Sequence, residues 1–206
     1  MDMVFTEYIK RNPGLKRLFL WMMIPANQQR PRIWVKWFIN PFVHKKGKGA
    51  LIRRRTRTDV FPYNAFSLGT HSVIEDFATI NNGVGDVSIG ARTIVGIGNV
   101  IIGPVSIGND VMLAQHVVLS GLNHEYERVD VPPSKQAVER QMISIEDEVW
   151  VGANSVVTAG VTIGKHAIIG AGSIVTRDVP AFSVAVGNPA KVIKKYNEGT
   201  KLWERV

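Results

Sequence analysis

The chain has 206 residues with 45% hydrophobic and 20% charged side chains, enough apolar content to bury a core and to exclude global disorder. It contains no cysteine, which excludes a disulfide scaffold, a thiol nucleophile and a thiolate metal site. The longest apolar run near its start, residues 18–24, falls far short of the ~20 residues a spanning helix needs, so a cytoplasmic protein of one domain, or one domain with an appendage, is expected.

The net charge of +8 is unevenly spread. Residues 1–58 hold fourteen Lys and Arg against Asp2 and Glu7, giving +12, whereas residues 59–206 carry −4. Trp21, Trp34, Trp37, Phe38 and Phe42 lie in the basic part. A basic segment interleaved with aromatics suits helices packed on a main body with a solvated face. It also suits peripheral contact with anionic lipid, where aromatics favour the interface and each cation adds about 1 kcal/mol. No nucleic-acid motif accompanies it, and no nucleic-acid partner is expected.

From residue 59 a repeat takes over. Aliphatic residues recur every sixth position at Ile89, Val95, Ile101, Ile107, Leu113 and Leu119, then in a second register at Ile145, Val151, Val157, Ile163, Ile169 and Val175. Leu68, Ile74 and Ile80 form an earlier stretch, displaced by three residues near Gly83–Val87. A small or β-branched residue follows four positions on in ten of twelve cases, and glycine follows directly at 90, 96, 108, 152, 164 and 170. Each six-residue unit reads as a short strand plus a turn, with three units making one triangular coil of a β-solenoid over 59–187. The aliphatic residues are expected to stack inward, with glycine easing the dihedrals at the turns.

The repeat breaks between Leu119 and Ile145. The intervening residues include Pro132–Pro133 and lack aliphatic phasing, so residues 120–142 are expected to leave the prism as an excursion loop. His124 sits at the mouth of this loop, and imidazole is the side chain suited to general-base work near neutrality. His71, His116 and His166 instead fall three residues after an in-phase aliphatic and read as surface turn residues. After the second tract, Asn188–Pro189 suggests a capped helix over 188–206, with Lys191 and Lys194 one turn apart on similar faces.

The runs IGNDVMLAQHVVLSGLNH from Ile107, VWVGANSVVTAGVTIG around Trp150 and IIGAGSIVTRDVPAFSVAVGNPAKVIK to Lys194 resemble the maltose/galactoside and polysaccharide O-acetyltransferases. The resemblance covers about residues 65–195. It implies a left-handed parallel β-helix of hexapeptide repeats, acetyl-CoA as co-substrate, no metal, and a homotrimer with sites between subunits. It further implies that His124 is the general base and that Trp150 walls the active site. Ala153, Ala171, Thr176 and Arg177 would lie along coenzyme A, whose phosphates would meet Lys191 and Lys194. The family's acceptor-binding Asn and Asp align near Ile94 and Ile102, so other acceptor contacts are expected. Asn81, Asn82 and Asn99 are the candidates, with Asn99 placed beside Trp150 on the acceptor wall. The implied reaction is direct transfer of acetyl to a hydroxyl of a sugar or a lipid-linked polysaccharide precursor. Sugar-amine N-acetylation, serine O-acetylation and a non-catalytic oligomerisation scaffold remain alternatives.

Overall fold

The computed structural model describes residues 11–206 apart from 27 and 29. The first ten residues of the basic segment therefore lie outside the described residues. Among the described residues three short helices, α1 (Pro13–Met23), α2 (Ile33–Phe38) and α3 (Asn40–Val43), precede a triangular prism of parallel strands. Asn12 caps α1 through its side chain, which accepts from Leu15 N, and Pro13 occupies the first helical turn.

The prism has six coils, each placing one short strand on each of three faces. The first face runs from Lys45–Lys46 to Thr162–Ile163, the second from Leu51–Ile52 to Ile168–Ile169, and the third from Arg57–Asp59 to Ile174–Val175. Parallel pairing is in register, so that Val95 lies beside Leu113, Leu113 beside Val151, and Val151 beside Ile169. The twelve in-phase aliphatics, together with Leu68, Ile74 and Ile80, are all buried in one continuous core. The residues two positions before them, such as Thr93, Val111, Ser155 and Ala167, are buried as well. At about 1.5–3 kcal/mol per fully buried large aliphatic, this double column is the principal source of stability.

The two kinds of turn residue divide the conformational work differently from the sequence expectation. Glycines 90, 96, 108, 152, 164 and 170 do not adopt positive φ. They are required because successive coils approach too closely for a side chain: a Cβ on Gly90 would lie 2.4 Å from the carbonyl oxygen of Gly108. The left-handed conformation falls two residues later, on His71, Arg92, Asp110, Glu148 and His166 along one edge, and on Phe77, His116 and Asn154 along the next. No β-branched residue occupies these positions, in keeping with the steric cost of a branched Cβ there.

Two boundaries need correction. The prism begins at Lys45, not at residue 59. In its first coil Lys46, which is exposed, Ile52 and Thr58 stand in register with Leu68, Ile74 and Ile80. Two of those three residues are polar, which hides the coil from an aliphatic periodicity. Residues 188–206 are not helical. Ser183–Val186 extends the second face, and Lys191–Asn197 and Leu202–Arg205 add to it antiparallel. The exposed edge of Ser183–Val186 offers unpaired backbone groups, and a strand satisfies them where a helix cannot.

All the long insertions leave from one edge, between the third and first faces. They are residues 60–65, residues 82–86 and the excursion after Ser120. Asn82, fully buried, ties the first two together: its carboxamide accepts from Phe61 N (2.7 Å) and donates to the carbonyls of Phe61 and Asn64. This lock accounts for the three-residue phase shift between Ile80 and Ile89.

Candidate active site

The excursion is an arm, not a loose loop. Leu122–His124 pairs antiparallel with Val138–Arg140, and a short 3-10 turn, Pro133–Lys135, shapes its far end. Gln136 fixes the tip by donating to the carbonyls of Arg128 and Val131 and accepting from Arg128 N. The arm leaves the prism between neighbouring coils without interrupting the ladder, because Val105–Ile107 pairs directly with Ile143–Ile145.

His124 closes the paired part of the arm opposite Val138 and is exposed. Leu122 and Arg140, the next pair but one, share its face of the two-stranded ribbon. Arg140 donates to the carbonyl of Val84 at 3.1 Å, so this face looks back toward the 82–86 insertion. An exposed imidazole on a hydrogen-bonded strand, facing a second insertion, can take a proton from a group bound between them. Arg140, on the His124 face, and Gln136, which fixes the tip, were not singled out by sequence reasoning. Their position in the arm gave no periodic signal, since their contacts depend on how the arm pairs with itself.

Trp150 lies elsewhere. Its side chain points outward from the second face, in a column with Ile94, Met112 and Ile168. It lines a shallow groove of about 390 Å³ with Glu75, Ile94, Ile97, Met112 and Gln115. Ile94, Ile97, Met112 and Trp150 are all exposed, an apolar stripe of the kind that marks an interaction site. The arm leaves from the edge opposite this face, so one copy of the chain does not bring His124 and Trp150 together.

Asn99 must be removed from the acceptor wall. It is fully buried at an inner corner, where its side-chain oxygen accepts from Val117 N at 2.7 Å. Asn82 is committed to the insertion lock, which leaves Asn81 as the partly exposed asparagine of the three. Asn81 stands in the same column as Ile102 and Ser120, the residue from which the arm departs.

The six expected coenzyme A contacts fall into three groups. Ala153 and Ala171 stack at the edge between the second and third faces, where Gly172 N donates to the carbonyl of Ala153. A Cβ on Gly172 would meet nothing within 4 Å, so the backbone there is open to a ligand. Thr176 and Arg177 are exposed at the arm's own edge, two coils beyond its base. Lys191 and Lys194 do not share a face. They lie three apart in a strand, with Lys191 exposed beside Ile193 and Lys195 while Lys194 is half-buried with Val192 and Tyr196. Lys195, not Lys194, is the cation that accompanies Lys191.

With this geometry in place, the likenesses to known proteins become specific. Residues 142–177 match the bacterial transferase hexapeptide (six repeats) model. Over 108 residues the chain is 38% identical to the putative lipopolysaccharide biosynthesis O-acetyl transferase WbbJ of Escherichia coli K12, covering 49% of this chain and 55% of that protein. The chain spans about half the length of the curated relatives it matches. A maltose O-acetyltransferase structure from Clostridium difficile 630 superposes with a TM-score of 0.55 at 27% identity, covering 96% of this chain and 90% of that one. AntD, an N-acyltransferase from Bacillus cereus solved with dTDP-4-amino-4,6-dideoxyglucose and coenzyme A, shares the fold at a TM-score of 0.67 and 19% identity, covering 80% of this chain and 90% of that one. The protein is a left-handed β-helix built of hexapeptide repeats. Within that class it resembles the sugar and polysaccharide O-acetyltransferases.

Proposed function

We propose that the protein is an acetyl-CoA-dependent O-acetyltransferase acting on a hydroxyl of a sugar or a lipid-linked polysaccharide precursor. The observation that carries this reading is His124, an exposed imidazole held on the paired strand of an arm that leaves the repeat. His124 accepts the proton of the acceptor hydroxyl as the hydroxyl oxygen bonds to the thioester carbonyl carbon. The C–S bond then breaks, and the imidazolium returns the proton to the departing thiolate. Cysteine is absent, so an acyl-thiol enzyme has no place in this route.

The separation of His124 from Trp150 supports assembly as a homotrimer, in which the arm of one copy reaches the apolar second face of the next. Closed three-fold packing would cover the exposed stripe at Ile94, Met112 and Trp150 on every copy. Coenzyme A would then lie along the edge of Ala153 and Ala171, where the backbone is open, with its phosphates toward Lys191 and Lys195. Its thiol end would approach Arg177 and the arm of a neighbour. The basic N-terminal segment would bring the trimer to an anionic membrane face where a lipid-linked acceptor is presented.

Thiol release from acetyl-CoA in the presence of a panel of sugar hydroxyl, sugar-amine and serine acceptors tests the reaction. A hydroxyl sugar should give the highest kcat/KM. His124→Ala should lower kcat by about 10²–10⁴-fold with coenzyme A affinity retained. Turnover within a few-fold of wild type would remove His124 as the base. Light scattering should give three times the 22.8 kDa chain mass.

A further inference from the structure

A β-solenoid leaves its core open at both ends and needs terminal caps, which in soluble proteins turn a polar face to water. Helices α2 and α3 form the cap at the first coil, with α1 joined to them through Arg32, whose backbone N–H and guanidinium donate to the carbonyls of Met23 and Trp21. Val35 of α2 is fully buried, outside the continuous core of the prism. Lys36 reaches Thr58 Oγ1 at 3.5 Å, Asn40 donates to the carbonyl of Val60 at 2.8 Å, and His44 packs edge-on against Phe66. Asp59, buried to 1% exposure, binds the cap from below through Arg30 at 3.7 Å and holds Arg57 of its own strand at 2.6 Å.

The outer side of this cap is not polar. Trp37, Phe38 and Phe42 are 72%, 69% and 86% exposed, and Ile33, Trp34, Leu18 and Trp21 are exposed with them. Around them runs a belt of cations. The first coil alone carries Lys45, Lys46, Lys48, Arg53, Arg54, Arg55 and Arg57 against one acid, Asp59. Residues 11–58 contain no Asp or Glu at all. Lys45, Lys46, Lys48 and Arg54 hold no ion pair among the described residues.

We propose that the N-terminal cap is a docking surface for an anionic lipid bilayer, and that it seats the prism end-on, with its axis along the membrane normal. Aromatic and aliphatic side chains enter the interfacial layer while the belt of the first coil meets the headgroups. A second copy of the chain fits this surface poorly, because cap-to-cap contact would oppose two cation belts. An acidic polymer would neutralise the belt but leave Ile33, Leu18 and Phe42 in water. This inference rests on the membrane contact in the proposed function and adds its surface and orientation. Acetyl transfer does not depend on it.

Flotation of the full-length protein with vesicles of phosphatidylglycerol and phosphatidylcholine, against phosphatidylcholine alone, tests it. The protein should float with the anionic vesicles at low salt, and its bound fraction should fall about tenfold or more at high salt, as screening removes the headgroup attraction. Trp37→Ser/Phe42→Ser should lose flotation to a similar degree, with an unchanged melting temperature and undiminished thiol release on a soluble acceptor, since neither side chain is buried. Failure to float with anionic vesicles at low salt overturns the proposal. So does equal flotation of the double variant, or light scattering that shows cap-mediated pairs of trimers lost in that variant. His124→Ala should float like wild type, which keeps a failed catalytic assignment distinct from failed docking.

Discussion

The two ends of the prism close the same kind of core by different means. At the C-terminal end, Lys191–Asn197 and Leu202–Arg205 continue the hydrogen-bond ladder of the second face. Trp203 there stacks against His166 and meets Tyr196 edge-on, and Phe182 also stacks on His166. Glu204 accepts from Asn197 and Thr200, and Glu148 pairs with Lys165 and His166, so aromatics and charges of both signs finish one another. At the N-terminal end the ladder simply stops, helices are tied to the first coils through Lys36, Asn40 and His44, and the aromatics are exposed without acids among them. Sealing a core and choosing what the seal presents are thus separate problems. One cap solves both internally, and the other leaves the second to a partner.

The largest test of this contrast is Val35→Asp. A carboxylate at a fully buried apolar site must either stay charged without a partner or dislodge α2, a loss of several kcal/mol. Amide exchange should rise across residues 45–59 while residues 183–205 keep their protection. Equal loosening of both ends would show that the caps are not independent. Trp203→Ala is the smaller counterpart. It removes the stack on His166 and the edge contact with Tyr196, costing about 1–2 kcal/mol and loosening only the C-terminal strands.

Smallest is an asymmetry in acid. Burial lowers the pKa of His44 beneath the ordinary 6.5, and neither ring nitrogen has a partner. The unfolded chain therefore binds this proton more readily, so the N-terminal cap is fully stable above about pH 6.5 and weakens as pH falls toward the folded value. Hydrogen bonds from His166 and Lys165 lower the pKa of Glu148 below 4.5. That stabilisation is intact above 4.5 and fades only as pH falls through the lower folded value. Thermal melts from neutral pH to about 5 should show a decline that His44→Gln reduces and Glu148→Gln does not.

Most of the prism was legible because every coil repeats one environment, so each aliphatic at a sixth position reports the same column. The departure of the arm was legible for the same reason, as a break in that column after Leu119. The first coil was not, since the exposed Lys46 and the half-buried Thr58 stand in register with the core columns and carry no apolar signal. The C-terminal strands were missed because Asn188–Pro189 carries a helix-start signal, while the open edge of Ser183–Val186 exists only once the coil has formed. Asn99 illustrates the limit for the site. A polar residue in a repeat can serve the corner or the substrate, and only burial tells them apart.

The coil stack is also a measure of length. Parallel strands stand about 4.8 Å apart, and three coil steps separate the first coil from the fourth, where the arm departs. The arm is therefore held about 14 Å above the first coil by a rigid column, not by a linker of variable reach. With the cap seated on a bilayer, that column fixes how far from the lipid anchor a hydroxyl must stand to meet His124. The chain would then select among acceptors by the position of the sugar along the glycan as well as by its chemistry. Inserting or deleting one coil between Lys45 and Val105 would shift that height by about 5 Å while leaving every residue of the arm unchanged.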